Sequence, residues 1–160
     1  MNIEVLIADY SNSVHAADFV ELLNCYACDP MGGGKPLTEY AKENLALELD
    51  KLPGAFSILC YVDGAAAGLA NCLTSFSTFK CKPLVNIHDI FVLKQFRGLG
   101  LSKRLLNEVQ RVAMERDCCK LTLEVLEGNE PAKKAYLSFG FEGYELDSSH
   151  GKALFWQKTI

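Results

Sequence analysis

Two glycines and an arginine follow an apolar run in the middle of the chain, in the sequence QFRGLGLS at residues 95–102. Glycine adopts left-handed backbone conformations easily, and because it has no Cβ a ligand can approach the main chain. An amphipathic helical pattern begins directly after the turn, and the first N–H groups of a helix have no partner within it. We therefore predict a nest of backbone donors, with the charge of Arg97 beside it, that binds a pyrophosphate.

A glycine turn between a strand and a helix also occurs in dinucleotide-binding units. Here Lys103 stands where the third glycine of a GxGxxG pattern would be, and the turn follows three predicted antiparallel strands. The next strand leads to Asn129 and Tyr136 rather than to another strand–helix unit. These features disfavour a nicotinamide or flavin, and the lack of a GK[ST] sequence after the glycines excludes a P-loop.

Two side chains that could bind or move a proton, His88 and Asp89, stand together in the apolar run before the turn. Alternation along a strand would send one to each face. A neutral imidazole with an ordinary pKa of about 6.5 is a competent base at neutral pH, whereas Asp89 could bind a cation or cap a local turn. A structural His88, bonded to a neighbouring loop, is the alternative. Glu124 and Glu127 are reserve candidates for the base or a substrate contact.

The cysteines indicate reduced thiols rather than a metal site or a disulfide framework. Their number is odd and they are scattered among apolar residues, which is typical of thiols that pack as small hydrophobic groups. Cys25 and Cys28 form a CxxC, but no second pair and no histidine at ligand spacing accompanies it. The seven are Cys25, Cys28, Cys60, Cys72, Cys81, Cys118 and Cys119.

Charge and hydropathy exclude several classes of function. The net charge is −4 and no basic stripe is visible, which disfavours binding to nucleic acid. No apolar run approaches the roughly 20 residues of a membrane span, and residues 1–5 lack the pattern of a secretory signal. We therefore expect a cytoplasmic protein that forms a single domain over residues 1–160.

The hydrophobic pattern predicts an α+β fold, with a mixed sheet and helices packed on it. Glycine-rich residues 29–36 are predicted to form a loop, either a lid or a flexible connector. Helices are expected at residues 16–27, from Thr38 to near Pro53, at 99–116 and at 131–139, and strands at 3–8, 56–62, 66–73, 84–93, 120–126, 141–146 and 154–159.

Three motifs in order carry a resemblance to a known family. The spacing Gln95-x-x-Gly98-x-Gly100 resembles the Q/R-x-x-G-x-G/A signature of the GNAT N-acetyltransferase superfamily. The preceding DIFV at residues 89–92 lies at the spacing of that family, as does N-x-x-A-x-x-x-Y-x-x-x-G-F at residues 129–141. The motifs cover about residues 84–146. The resemblance implies a mostly antiparallel mixed sheet in which the strand at residues 84–93 splays from its neighbour at 120–127, flanked by about four helices.

The resemblance also implies roles for individual residues. The pantetheine arm of acetyl-CoA would lie between the splayed strands and bond to backbone groups near Ile90 and Val92, because unpaired buried N–H and C=O groups need a partner. A free backbone N–H there can polarise the thioester carbonyl. Tyr136 would protonate the departing thiolate. The alternative for Tyr136 is a tyrosine of the core. The residues implied to bind the donor are Ile90, Phe91, Val92, Arg97, Gly98, Leu99, Gly100, Leu101, Ser102 and Asn129.

The central region is similar to spermidine/spermine N-acetyltransferases, which have Glu-Asp where this chain has His88-Asp89. The resemblance gives His88 the position of the base, which acts through water in those enzymes, and Asp89 a contact to a cationic substrate. We therefore expect direct acetyl transfer from acetyl-CoA to a primary amine of a small, polyamine-like cation, with no metal. A protein lysine or N-terminus as acceptor, and a non-catalytic acyl-CoA-binding domain, are the alternatives. The resemblance also implies a homodimer that pairs through residues 154–159.

Overall fold

The computed structural model describes residues 1–145 and 147–160. Its sheet has five strands, which lie side by side in the order in which they follow along the chain. The strands are β1 (Ile3–Ile7), β2 (Ala55–Val62), β3 (Ala65–Ser77), β4 (Lys82–Val92) and β5 (Leu121–Leu123), and the helices are α1 (Ser13–Cys28), α2 (Glu39–Lys51), α3 (Leu101–Glu115) and α4 (Glu130–Phe139). The first four strands pair antiparallel, and β5 pairs parallel to β4. The mixed sheet with its helices confirms the predicted fold class.

Side chains at the N-termini of three helices explain where those helices begin. Asn12, Thr38 and Asn129 precede α1, α2 and α4, and each side-chain oxygen accepts a hydrogen bond from a backbone N–H in the first turn. Such caps satisfy donors that a helix leaves without partners. Gly140, in a left-handed conformation, ends α4.

Two apolar cores lie on opposite faces of the sheet. One includes the buried stripe of α3, whose members Leu105 and Val109 are fully buried, together with Ile58 and Cys60 of β2. The other includes Phe19 of α1 and Leu49 of α2, packed with Leu59 of β2. Neighbouring residues of β2 therefore point into different cores, as alternation in a strand requires.

The parallel pair β4–β5 is short and then opens. Only Val85, Asn86 and Ile87 pair with β5, opposite Leu121, Thr122 and Leu123, whereas β4 stays paired with β3 as far as Val92. From His88 to Val92, β4 therefore has a neighbour on one edge only within the described residues. This is the splayed pair that the resemblance implied.

A bulge in β4 changes the face that its residues present. Cys72 of β3 lies opposite Ile87 and Asn71 lies opposite Asp89, so that His88 has no partner in β3. Val85 and Ile87 before the bulge pack in the same core as Ile90 and Val92 after it, so the core-facing positions change from odd to even. The extra residue breaks the alternation that would separate His88 and Asp89.

The predicted C-terminal hairpin does not form in the part of the chain that the structure describes. Residues 141–145 and 151–160 contain no strand, residues Ser148–His150 form a short 3-10 turn, and Leu146 lies outside the described residues. The backbone N–H of Phe141 bonds to the carbonyl of Tyr136 and completes the end of α4, so the residue cannot donate to a ladder. With β5 only three residues long, the sheet edge gives these segments little to pair with.

No helix within residues 1–145 and 147–160 is long and apolar enough to cross a membrane. The same residues bring together no group of three or more histidine, cysteine, aspartate or glutamate side chains that could hold a metal ion.

Candidate functional site

The glycine turn presents unpaired backbone donors. Gly98 and Gly100 have φ values of +85° and +73°, a region in which other residues are strained. A Cβ at either position would meet no atom of the described residues within 4 Å, which shows that the turn faces open space. The backbone N–H groups of residues 98–100 have no acceptor within residues 1–145 and 147–160. Together with the first turn of α3 they form an uncovered set of donors.

The N-terminus of α3 differs from the other three in having no side-chain cap. Gly100 occupies the N-cap position and offers no side chain. Leu101 anchors the helix because its side chain is buried in the core, while Ser102 is half-buried and Leu99 is exposed. A shallow pocket of about 90 Å³ adjoins the turn and is lined partly by Gly100, Ser102, Lys103 and the α4 residues Ala135 and Ser138.

Arg97 connects the turn to two other parts of the molecule. Its Nε donates to the carbonyl of Val92 at 3.0 Å, and its Nη2 donates to a carboxylate oxygen of Asp29 at 3.2 Å. The guanidinium also lies 5.7 Å from the ring centroid of Phe91. Asp29 begins the glycine-rich loop at residues 29–36. The hydrogen bond from the backbone N–H of Met31, and then the guanidinium of Arg97, lower the pKa of the Asp29 carboxyl. The cation is thus held at the junction of the turn, the open edge of β4 and this loop.

His88 lies where β4 and β5 separate. Its Nδ1 is 2.9 Å from Oδ1 of Asn86, and its side chain is exposed. An open pocket of about 150 Å³ is lined by His88, Asn86, Ile87, Glu124 and Phe155. The structure therefore brings His88 together with Glu124, one of the two reserve carboxylates. Glu127 is exposed, and the pocket does not include it.

Asp89 ends a chain of hydrogen bonds that crosses three strands. Asn71 Nδ2 donates to Asp89 Oδ2 at 3.1 Å, Ser57 Oγ donates to Asn71 Oδ1 at 3.1 Å, and the Tyr10 hydroxyl lies 2.7 Å from Ser57 Oγ. Ser57 has one hydrogen and gives it to Asn71, so Tyr10 is the donor to Ser57. Each donor thus points toward the carboxylate. Ser57 and Asn71 are buried, which makes this chain rigid.

Tyr136 is buried against α3 and the sheet, but its hydroxyl reaches the surface. The residue is 9% exposed, and its ring packs edge-on against Phe141 at 5.9 Å between centroids. Its hydroxyl bonds to none of the described residues, yet no buried side-chain polar atom among them lacks a partner. The hydroxyl is therefore accessible. Burial, and then the hydroxyl of Tyr26, raise the pKa of Tyr136 to about 12, so the phenol is protonated at neutral pH.

Tyr26, at the end of α1, connects the two sides of the site. Its ring lies 5.5 Å from that of Phe91, and its own pKa is raised by burial and then by the charges of Asp89 and Asp29. Because Tyr26 also acts on the pKa of Tyr136, it is within electrostatic range of both groups. The sequence offered Tyr26 only as one member of the apolar face of a helix.

Asn129 begins α4 next to the open end of the strand pair. Its Oδ1 accepts the N–H of Ala132 at 3.3 Å and so caps the helix. Its Nδ2 donates none of the hydrogen bonds found among residues 1–145 and 147–160 and is free to bind a ligand amide.

Sequence reasoning missed Asn71, Ser57 and Asp29 as parts of this arrangement. Ser57 and Asn71 are polar residues between apolar neighbours in β2 and β3, and that contrast was the available signal, since buried polar groups need partners. Nothing in the sequence paired Asp29 with Arg97, because 68 residues separate them.

The fold and the site share two features: an edge of β4 left open where it separates from β5, and uncovered backbone donors at the N-terminus of α3. The model of the Acetyltransferase (GNAT) family matches residues 19–141, and this chain belongs to that family. It is 37% identical over 78 residues to an uncharacterized N-acetyltransferase of Archaeoglobus fulgidus, and 33% identical over 86 residues to thialysine N-epsilon-acetyltransferase of Bos taurus. These matches cover 48% and 50% of the chain, and 53% and 50% of the relatives. The chain thus spans about half the length of the curated relatives it matches.

Solved structures share the fold over the full length of the chain. The aminoglycoside acetyltransferase AAC(6')-Iy, in complex with a CoA-containing bisubstrate analogue, matches with a TM-score of 0.77 at 22% identity and full coverage of both chains. A probable acetyltransferase matches with a TM-score of 0.79 at 20% identity, covering 100% of this chain and 99% of the other.

Proposed function

We propose that this protein is an acetyl-CoA-dependent N-acetyltransferase that moves an acetyl group directly to the primary amine of a small cationic molecule. The observation that carries the proposal is the uncovered set of amides at residues 98–100, placed at the end of the same strand that presents His88 and Asp89. Membership of the GNAT family supports it. In this proposal the anionic donor binds beside a basic and an acidic side chain.

The donor fits the groups that the turn leaves free. Pyrophosphate oxygens would accept from the N–H groups of residues 98–102, with Arg97 and the positive end of α3 balancing their charge. The amide-bearing arm would pair with β4 near Ile90 and Val92, and with Nδ2 of Asn129. Acetyl-CoA itself supplies an acyl group activated as a thioester.

His88 and Tyr136 would share the proton transfers. In the transfer the amine nitrogen bonds to the acetyl carbon and the carbon–sulfur bond breaks. His88 accepts a proton from the amine, directly or through water, because an alkyl ammonium with a pKa of about 10 must lose its proton before it attacks. Tyr136 gives a proton to the leaving sulfur, and its raised pKa of about 12 keeps it in the protonated form. A backbone N–H of the open edge of β4 stabilises charge on the carbonyl oxygen.

Acidic groups around His88 favour a cationic acceptor. Asp89 is adjacent in the chain, and Glu124 lines the same pocket. Two relatives are named for amine acceptors, thialysine in Bos taurus and an aminoglycoside in Salmonella typhimurium, the latter 29% identical over 92 residues and matched over 63% of its length. These names support an amine of a small molecule, and we place a polyamine-like compound first.

Thermal unfolding with CoA, acetyl-CoA and NAD tests donor binding. A ligand at 100 times its Kd adds about 2.7 kcal/mol to the free energy of unfolding, so both CoA forms should raise the Tm and NAD should not. Release of free thiol should then be measured with a polyamine, a lysine derivative, an aminoglycoside and a lysine peptide. Lack of any shift with CoA and acetyl-CoA would contradict the proposal. Binding without thiol release from any amine would favour a non-catalytic acyl-CoA-binding domain.

A further inference from the structure

The side-chain amide of Asn86 is held at the middle of the three paired positions of β4 and β5. Asn86 lies opposite Thr122 of β5, and its Nδ2 is 3.0 Å from Thr122 Oγ1 and 3.5 Å from the Thr122 carbonyl oxygen. Both are acceptors for an N–H, so the nitrogen of the amide must point to β5. The oxygen of the same amide must then point the other way, along β4.

That oxygen faces His88 and decides which ring nitrogen of the histidine carries hydrogen. Oδ1 of Asn86 lies 2.9 Å from Nδ1 of His88. An amide oxygen can only accept, so Nδ1 must be the donor in this contact. A neutral imidazole has one N–H, and Nε2 is then left with a free lone pair. The orientation of Asn86 therefore selects the tautomer in which the outer nitrogen of His88 can take a proton.

The bulge and the pocket place His88 where this selection matters. His88 is the unpaired residue of the bulge, and its ring lines the open pocket with Glu124 and Phe155. The charged groups that face it are the carboxylates of Glu124 on the segment after β5 and Asp89 on β4. Neither of them bonds to His88 among the described residues, and the only directional contact to the ring comes from Asn86.

We propose that Asn86 is a positioning residue that holds His88 as the Nδ1–H tautomer, so that Nε2 accepts the proton of the acceptor amine. This rests on the proposed function. Thr122 acts indirectly, because its hydroxyl orients the amide of Asn86, which in turn orients the ring of His88. Asn86 thus acts on the proton transfer through His88.

Three variants separate the steps of this chain. Asn86→Leu removes the acceptor for Nδ1–H and should lower kcat/KM for the amine about tenfold, with the KM for acetyl-CoA unchanged. Thr122→Val keeps Asn86 but removes the hydroxyl that orients its amide, and should lower kcat/KM for the amine about threefold. Asn44→Leu is the matched control, because among residues 1–145 and 147–160 the Asn44 side chain bonds only to the Tyr40 carbonyl of its own helix, and it should leave both constants unchanged.

Asn86→Asp gives a pH signature that loss of packing cannot imitate. A carboxylate beside Nδ1–H stabilises the imidazolium and raises the pKa of His88. The acid limb of the pH profile of kcat/KM should therefore move upward by about one pH unit. An unchanged limb would overturn the proposal, as would an Asn86→Leu variant with parental kcat/KM.

The tautomer can be read in the absence of any activity. In ¹⁵N NMR spectra of the protein, with His88→Gln used to assign the His88 signals, the parent should show protonated Nδ1 at pH 8, and Asn86→Leu should lose that preference. A parent spectrum with protonated Nε2 would overturn the proposal whatever the kinetics. If the parent shows protonated Nδ1 but transfers no acetyl group, the proposed function fails while the positioning by Asn86 stands.

Discussion

The glycine turn and the face around the bulge are built in opposite ways. The turn takes its uncovered donors from consecutive residues, 98–102, and its charge from the neighbouring Arg97. The face around the bulge is assembled from separate strands and helices: Asn71 of β3, His88 and Asp89 of β4, and Tyr26 of α1. A site of the first kind is specified by local sequence, whereas the second exists only after the sheet has formed its register.

The two regions also differ in the sign of their charge. Arg97 and the amides at the start of α3 make the turn electropositive, while Asp89 and Glu124 make the pocket beside His88 electronegative. A pyrophosphate suits the first and an ammonium group the second, and the open edge of β4 joins them. Each region can therefore be damaged separately, and the kinetic constant that changes should reveal which one was affected.

Tyr136→Phe should have the largest effect, because it removes the proposed proton donor to the leaving sulfur. General acid catalysis contributes 10²–10⁴-fold, so kcat should fall by about 10²-fold while acetyl-CoA binding stays close to that of the parent. The ring keeps its place in the core, which protects the fold. Steady-state kinetics and calorimetric titration with acetyl-CoA measure the two quantities. An unchanged kcat would return Tyr136 to a purely structural role.

The raised pKa of Tyr136 also predicts how the stability of the protein depends on pH. In the folded protein the pKa of Tyr136 is raised from 10.0 to about 12. The folded state thus keeps a proton between pH 10 and 12 that the unfolded chain has lost, so the free energy of unfolding falls as pH rises through this range. The contribution is fully present below pH 10. Denaturant unfolding of the parent and of Tyr136→Phe at pH 9 and 11 should show a smaller loss of stability in the variant.

Gly100→Val should damage the turn alone. At a φ of +73° a β-branched residue is strained by about 1–2 kcal/mol, and the turn can relieve that strain only by moving its N–H groups. We expect the Kd for CoA to rise tenfold or more, with little change in the KM of the amine. Ala65→Val is the control, because it introduces the same side chain at the exposed start of β3, where a strand accommodates valine. It should leave the Kd for CoA unchanged. Equal affinities for CoA would show that the turn is not the phosphate site.

Local patterns predicted most of the fold. The start of α2 near Thr38, the end of α4 before Gly140 and the apolar stripe of α3 are all decided by residues within one or two turns of each other, and each lies where the sequence predicts it. The splayed pair came from the resemblance rather than from the pattern. The prediction of strands at residues 141–146 and 154–159 was wrong in the described residues. Alternating hydrophobicity favours a strand but does not provide a sheet edge with which it can pair.

The acceptor side could not be predicted in the same way. The register shift opposite Asn71 depends on how β3 and β4 align over their whole length. The few residues on either side of His88 contain no sequence pattern that predicts it. The contact between Asn71 and Asp89 spans 18 residues, and the contact between Tyr10 and Ser57 spans 47. Such partners become visible only in the folded sheet.

Asn71→Leu should break the hydrogen-bond chain to Asp89 and affect the acceptor alone. Without its donor the Asp89 carboxylate loses a fixed orientation, so the KM of a cationic amine should rise by several-fold, with the Kd of CoA unchanged. Tyr10→Phe, which removes the first donor of the chain, should act in the same direction and more weakly.

Tyr61→Phe is the matched control for the chain. Tyr61 is buried to the same degree as Asn71, and its hydroxyl donates to Asp18 at 2.8 Å outside the chain that leads to Asp89. Its loss should change the free energy of unfolding but not the KM of the amine. Should Tyr61→Phe raise that KM as much as Tyr10→Phe, the effect would be one of general stability.

Asp29→Asn tests the contact between Arg97 of the turn and the loop at residues 29–36, and the expected effect is the smallest. The carboxylate bonds to an Arg97 side chain that is 51% exposed, and exposed ion pairs contribute about 0.2–1 kcal/mol. Asp29 competes with a pyrophosphate for Arg97, so neutralising it should lower the Kd for CoA by about two- to threefold. Asn can still accept the N–H of Met31, which preserves the loop. Titration of parent and variant with CoA at 50 and 300 mM salt measures the effect, which should shrink at the higher salt because exposed charges are screened. A weaker affinity for CoA in the variant would mean instead that Asp29 positions Arg97 for the phosphate, and that the loop at residues 29–36 is part of the donor side.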